Sequence, residues 1–380
     1  MKVKLIDVCD IQYGYAFDSK CFVDDETCVP LIRIRDVKRG FSETYYSSTY
    51  SDEYLVNSGD LLIGMDGEFN IARWKSKPSL LNQRVCKIIA KPGICEEYIR
   101  FVLSIKLKEI ERRTAFVTVK HLSAKELNKL EIEIPEYEIQ LKIANTLQKI
   151  EQLVELRKTE LISFNSLIKS RFVEMFGDPI INNLRLNTKP MTELCEIIDG
   201  DRGKNYPTAE EFYEEGHCLF LNAKNVTPTG FDFGKSMFIS EEKDTILRKG
   251  KLQRGDVVLT TRGTIGNLAF YTDDVPYDHV RINSGMVILR MNKSEIDERY
   301  FIEQFKMQLS DIKEKIASGS AQPQLPISTM NKIEVVVPDI DKQNEFAAFV
   351  NHIDKLKVKV QQSLDETQIL MDSLMQKYFG

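Results

Sequence analysis

The sequence predicts an α+β fold: two tandem α/β units, each followed by one long helix, with the two helices pairing as an antiparallel coiled coil. Three observations carry this expectation. Residues 138–176 run without Gly or Pro and are rich in Leu, Glu, Lys, Gln and Arg, all good helix formers. Within that run Ile143, Leu147, Ile150, Leu153, Leu161, Phe164, Ile168 and Phe172 fall on one face of a helix. Residues 338–380 then repeat 135–177 without a gap: Pro338, Gln343, Ala347, Ile353, Leu356, Leu364, Leu370, Phe379 and Gly380 stand at the positions of Pro135, Gln140, Ala144, Ile150, Leu153, Leu161, Leu167, Phe176 and Gly177. Two equal stripes in one chain can bury each other, and a folded unit ahead of each helix favours the antiparallel arrangement.

The boundaries follow from these signals: 1–135 for the first α/β unit, 136–177 for the central helix, 178–338 for the second unit and 339–380 for the C-terminal helix. Glu136 and Glu138 suit the positive end of a helix dipole, Gly177 suits a C-cap, and Pro179 forbids continuation. At 1.5 Å per residue the helix is roughly 58 Å long. The first unit is expected to begin almost at residue 1, with no capping segment before it.

Between these limits the chain reads as short strands and turns. KVKLIDVCDIQYGYAF is an amphipathic opening with a Gly turn, and VPLIRIRDV (29–37) is a strand placing Arg33 and Arg35 on one face. GDLLIGMDGEFNIARW (59–74) is a hairpin, LLNQRVCKII (80–89) a strand and CEEYIRFVLSIKLKEIERR (95–113) an amphipathic helix. A loop, a short helix and the strand LEIEIP lead into the long helix. The second unit keeps the order: LCEIIDGDRGKNYP, HCLFLNAKNVTPTG, RGDVVLTTRGTIGNLAFY, RINSGMVILRM, DERYFIEQFKMQLSDIKEKI and ASGSAQPQLPISTMNKIEVVVP. A repeat of this length is a duplicated domain, not a solenoid unit.

Composition excludes several classes. The 52 basic and 57 acidic residues give a net charge of −5, which argues against a uniformly basic nucleic-acid binder but leaves room for local patches. No apolar run approaches the roughly 18 residues a membrane helix needs, and the N-terminus is not a signal peptide. The seven scattered cysteines and the absence of CxxC fit reduced thiols and a cytoplasmic location. The four histidines show no metal-ligand spacing. No P-loop, Rossmann or NPPY-like methyltransferase motif is present. Pro338-Asp339-Ile340-Asp341-Lys342 superficially resembles part of a nuclease set, but its repeat partner lacks the lysine and both lie at a helix start. Asp60 and Asp256, each after a Gly, read as turn residues.

The Gly-rich loops carry the functional signal. Asp66-Gly67-Glu68-Phe69-Asn70 and Arg262-Gly263-Thr264-Ile265-Gly266-Asn267 bring small polar groups to a surface; Arg262 can fork onto guanine, and Asn70 or Asn267 can pair with adenine. Thr118, Lys120 and His121, and in the second unit Gln322 and Gln324, form a second polar loop. Arg33, Arg35, Lys224 and Arg281 are candidate phosphate contacts.

GDLLIGMDGEFNIARW, LLNQRV, TVKHLSAKELNKLEIEIP with its EYEIQ junction, and GDVVLTTRGTIGN resemble the target-recognition domains of specificity subunits of type I restriction–modification systems, as does the plan of domain, helix, domain, helix over nearly the whole chain. The resemblance implies a non-catalytic subunit reading a bipartite, asymmetric double-stranded DNA site, one half per domain, with the helices as spacer and docking surface. It implies two modification (methyltransferase) subunits as partners, restriction/translocase subunits joining them, no membrane contact, and no cofactor on this chain. S-adenosylmethionine, ATP and Mg are expected on the partner subunits. The helix length would hold the two half-sites no more than roughly 17 base pairs apart at 3.4 Å per step, and helix overlap and domain width should shorten that to about one turn. The rival expectations are a stand-alone DNA-binding architectural protein and a coiled-coil protein scaffold.

Overall fold

The computed structural model describes residues 2–113, 121–317 and 324–380. The chain divides into two compact units: unit 1 is Met1–Lys158 with Gln362–Gly380, and unit 2 is Thr159–Gln361. Each unit therefore takes one end of each long helix, because each domain packs against both helices.

In unit 1 a four-stranded antiparallel sheet runs in the order Cys9–Tyr13, Val85–Ala90, Leu61–Gly64, Asn70–Arg73. Alternation decides its two faces. Leu61, Ile63, Cys86 and Ile88 pack on Ile99, Val102 and Leu103 of the helix Glu96–Arg113. Leu62 and Val85 point the other way, onto Ile32, Val37, Trp74 and Leu81. In unit 2 the same order recurs as Cys195–Asp199, Met286–Met291, Val257–Thr260, Leu268–Phe270. There Val257, Leu259, Val287 and Leu289 face Tyr300, Phe301 and Phe305 of the helix Glu298–Ala317, while Val258 and Ile288 face Leu219, Leu221 and Ile282. Parallel pairs lie behind each sheet, Val29–Ile32 with Ser79–Leu81 and Cys218–Leu221 with Val280–Ile282.

A two-stranded clasp closes each unit. In unit 1 Lys2–Lys4 pairs antiparallel with Glu131–Glu133, setting Lys2 opposite Glu133 and Lys4 opposite Glu131. In unit 2 Thr188–Pro190 pairs with Glu334–Val336.

Two strands expected from the sequence need correction. The strand expected over 29–37 stops at Ile32, and Ile34–Arg39 is helical. Asp36 accepts the Arg33 N–H at 2.9 Å, and Gly40, at φ +80°, ends the helix. Arg33 and Arg35 therefore flank a helix start and do not share a strand face. The strand expected over 80–89 is two strands, split after Leu81 by a turn in which Arg84 has φ +70°.

The long helices are Tyr137–Phe176 and Ile340–Phe379, 40 residues each, about 60 Å of helix apiece. In unit 1 Ala144 and Leu147, near the start of the first helix, share a core with Met375 and Phe379, at the end of the second. In unit 2 Ile168, Phe172 and Phe176 share a core with Phe346, Val350 and Ile353. The start of one helix thus meets the end of the other, the order an antiparallel pair requires. Leu153, placed in the stripe from sequence, is 46% exposed, and Val154 is buried instead. The buried positions here are Leu147, Ile150 and Val154, whose mean spacing of about 3.5 residues drifts from a straight 3.6-residue face.

Gln140 and Gln343 are buried, one turn into each helix. Gln140 Oε1 accepts the Cys95 N–H at 2.9 Å and its Nε2 donates to the Pro135 carbonyl at 2.9 Å. Gln343 does the same with the Asp297 N–H (3.0 Å) and the Pro338 carbonyl (2.8 Å). Among the described residues no helix is long and apolar enough to cross a membrane.

Candidate nucleic-acid interface

The same loop pair is built in both units. In unit 1 the hairpin strand Leu61–Gly64 leads into Met65 and Asp66, then Gly67 at φ +69°, and returns through Phe69. Met65 and Phe69 are buried, so they pin the base of the loop and leave Gly67 and Glu68 outside. Asp66 forms an isolated antiparallel bridge with His121, and the Leu122 N–H donates to the Met65 carbonyl at 2.7 Å. In unit 2 Arg262 bridges Gln324, and the Leu325 N–H donates to the Thr261 carbonyl at 3.0 Å. Gly263, at φ +70°, turns this loop, and buried Ile265 anchors it. His121 and Gln324, the described residues of the second polar loop, thus meet the Gly-rich loop within each unit.

In unit 1 the surface is a small charged network. His121 Nδ1 lies 2.5 Å from Asp66 Oδ1, Arg84 Nη1 lies 3.0 Å from the same ring, and Arg84 Nε lies 3.5 Å from Asp66 Oδ2. Glu68 pairs with Lys38 at 3.2 Å, both side chains largely exposed, so the pair is worth little. Asn70 donates Nδ2 to the Glu68 carbonyl at 3.0 Å, while its Oδ1 is buried without a partner. Arg33 is exposed, and Arg35 is exposed beside Asp36 at 3.7 Å. Thr118 and Lys120 lie outside the described residues, as does Gln322 of unit 2.

In unit 2 Arg262, Thr264 and Gln324 are exposed, and so is Lys224 on a short turn capped by Asn222. Two candidates are not at the surface. Asn267 is buried: its N–H donates to Thr260 Oγ1 at 2.9 Å and its Nδ2 to the Val226 carbonyl at 2.8 Å, tying the hairpin to the neighbouring ribbon. Arg281 is buried too. It pairs with Asp244 at 2.5 Å and donates to the carbonyls of Lys249, Asp244 and Leu247, so its guanidinium is spent inside the protein. Burial pushes the Asp244 carboxyl up, but Lys251 and Arg281 outweigh it and hold the group below the usual carboxylate range.

Asp60 and Asp256 are turn residues as read from sequence. Asp60 Oδ2 accepts the Asn57 N–H at 2.7 Å and Asp256 Oδ2 the Gln253 N–H at 2.7 Å. Lys87 and Arg290 complete their pairing. Among the described residues one group could hold a metal: His217, Asp244 and His279, whose ligand atoms lie within 4.8 Å of one another. The histidine rings stack at 4.3 Å, and a cation there would have to displace Lys251, which sits 2.5 Å from Asp244. Sequence spacing could not find this trio, because each residue comes from a different segment. Arg84 was also missed, since LLNQRV reads as unbroken strand; the polar triplet Asn82-Gln83-Arg84 between apolar runs was the available signal.

Residues 1–164 and 185–367 match the family described as "Type I restriction modification DNA specificity domain". The chain is 26% identical over 412 residues to the type I restriction enzyme EcoBI specificity subunit of Escherichia coli, covering 100% of this chain and 85% of that protein. It is 24% identical to the type I restriction enzyme MjaVIII specificity subunit of Methanocaldococcus jannaschii, over 91% of this chain and 84% of that one. The crystal structure of a type I restriction-modification system S subunit from M. genitalium matches with a TM-score of 0.62 at 17% identity, covering 100% of this chain and 96% of that chain. A chain from a structure of assembly and conformational transition in the type I R-M system matches at 0.58 and 15%, covering 100% and 97%. These structural likenesses show the fold, and the matched segments place one copy of the family in each half: the chain belongs to the type I restriction–modification DNA specificity family.

Proposed function

We propose that this chain is the subunit that reads DNA for a type I restriction–modification complex, recognising a bipartite, asymmetric site with one half per unit. The observation that carries the reading is the loop pair built twice on one scaffold with different chemistry: Asp66, Arg84 and His121 in unit 1, Arg262, Thr264 and Gln324 in unit 2. Equal scaffolds bring equal parts of the surface to a duplex, while unequal side chains ask for unequal base edges.

Methylation and cleavage then belong to partner subunits. The chain assembles with two modification subunits, one per repeat, and with restriction/translocase subunits; S-adenosylmethionine, ATP and Mg sit on those partners. Leu156, Ile162, Val358 and Ile369 lie on the outer faces of the long helices, each more than half exposed, and offer apolar surface for that docking. A continuous antiparallel seam between the helices is part of the same proposal.

Sequencing of adenine methylation in the native host, with and without this gene, tests the reading. The expected result is one split, non-palindromic motif that disappears with the gene. A single uninterrupted motif, or methylation independent of the gene, overturns it. Co-purification should return a stoichiometric methyltransferase; its absence would favour a stand-alone DNA-binding protein.

A further inference from the structure

Resting on the reading above, we infer that Arg84 is the base-reading guanidinium of unit 1, and that Asp66 and His121 aim it. The inference starts from a register shared by the two units. Gly64 pairs with Val85, and the Met65 N–H donates to the Arg84 carbonyl at 2.8 Å. Thr260 pairs with Met286, and the Thr261 N–H donates to the Gly285 carbonyl at 2.8 Å. Asp66 therefore corresponds to Arg262, and Arg84 to Gly285.

The register sets Arg84 opposite Met65 and Gly285 opposite Thr261, so Asp66 and Arg262 each stand one residue beyond their facing position, and the two units fill these adjacent positions in opposite ways. Unit 2 carries its guanidinium on the hairpin, at Arg262, and has no side chain across from it: a Cβ on Gly285 would stand 3.9 Å from the Arg262 Cβ. Unit 1 carries its guanidinium on the facing strand, at Arg84, and has a carboxylate on the hairpin. One guanidinium per unit reaches the same loop surface from opposite members of the pair.

Two features separate Arg84 from an incidental surface arginine. Its φ of +70° is one that non-glycine residues rarely adopt, and such strain persists where surrounding structure imposes it. Its fork is also held from two sides: Asp66 lies at Nε and the His121 ring at Nη1, while its side chain stays 48% exposed. With Nε and one side of Nη1 engaged, the Nη2 group and the second Nη1 hydrogen still face outward and can present two donors to guanine O6 and N7. Asp66 is then a tether and not a reader, because a carboxylate at this surface would repel phosphate unless an arginine lies over it.

The test uses the full chain assembled with its co-purified modification subunits. Selection from a randomised DNA library first fixes the wild-type motif. Arg84→Gly removes the fork while relieving the backbone, so thermal stability should not fall; Arg84→Lys keeps the charge without the fork. Both variants should lose about 10–100-fold of discrimination at one base position in one half-site, and Arg262→Ala should do so only in the other half. Uniform weakening on all sequences would make Arg84 a phosphate contact and overturn the inference, as would an unchanged motif or both arginines moving the same half. Absence of any split motif for the wild-type complex is a different failure, which sinks the functional reading and the inference with it.

Discussion

At the residue scale, burial decides which polar groups can act outward. Arg281 looks like a surface cation in the sequence, yet it sits in the core with Asp244 and three carbonyls. Removing one partner of a buried pair leaves the other charge uncompensated. Arg281→Ala should therefore cost unit 2 about 3–5 kcal/mol, read as a lower urea midpoint. The pH dependence has a definite sign. The Asp244 carboxyl is depressed in the folded chain, so its contribution is complete above the unfolded carboxylate value of about 3.9 and is lost as pH falls through the folded value. Acid titration of Asp244→Asn should show a shallower loss of stability over that window; an identical slope would contradict it. The thiols give a second prediction. Burial pushes Cys9, Cys86, Cys195 and Cys218 up to about 12, whereas Cys21 and Cys28 are partly exposed. Native-state alkylation followed by mass spectrometry should modify Cys21 and Cys28 first. From sequence, the Gly-rich turns at Gly67 and Gly263 were legible as loops, but Asn267 and Arg281 could not be separated from Arg262. Their fate rests on neighbours at Val226 and Asp244, which are distant in the chain.

At the element scale, periodicity located the long helices to within a residue, because no competing signal interrupts a run that long. Short elements were harder. Ile32-Arg33-Ile34-Arg35 alternates well enough to pass for strand, and only the Asp36 cap and the Gly40 turn make Ile34–Arg39 a helix. The matched glutamines show how the helices are joined to their domains. Gln343 reaches back to Pro338 and across to Asp297, so Gln343→Leu strands the part-buried Asp297 N–H and the buried Pro338 carbonyl. The expected cost is about 1–3 kcal/mol by chemical denaturation, and Gln140→Leu should do the same in unit 1. Ile353 is buried in the core that also holds Phe172 and Phe346. Ile353→Asp would put an unpaired charge there and should remove several kcal/mol, as should Ile150→Asp. A wild-type melting curve for either variant would contradict this packing.

At the scale of the whole molecule, duplication accounts for most of what the sequence revealed. Two sheets in one strand order, two clasps and two buried glutamines repeat one plan, whereas Lys38–Glu68 and Arg281–Asp244 occur once. Shared features define the scaffold, and unshared ones mark where the units diverged. With no cofactor motif in the sequence, the purified chain should transfer no methyl groups from S-adenosylmethionine to DNA until modification subunits are added. A radiolabel-transfer assay on chain free of those subunits checks this.

The clasps carry an evolutionary consequence. In each unit the first strand lies against the strand that feeds the long helix, so the recognition domain enters and leaves its scaffold at neighbouring points about 5 Å apart. A cassette whose ends touch can be exchanged by recombination without stretching or shortening the chain on either side. Crossovers just inside Lys4 and Glu131 would swap the loops and keep the ladder that receives them. A population holding several versions of each domain could then generate new DNA specificities as products of the two repertoires, without waiting for point mutations at each base contact.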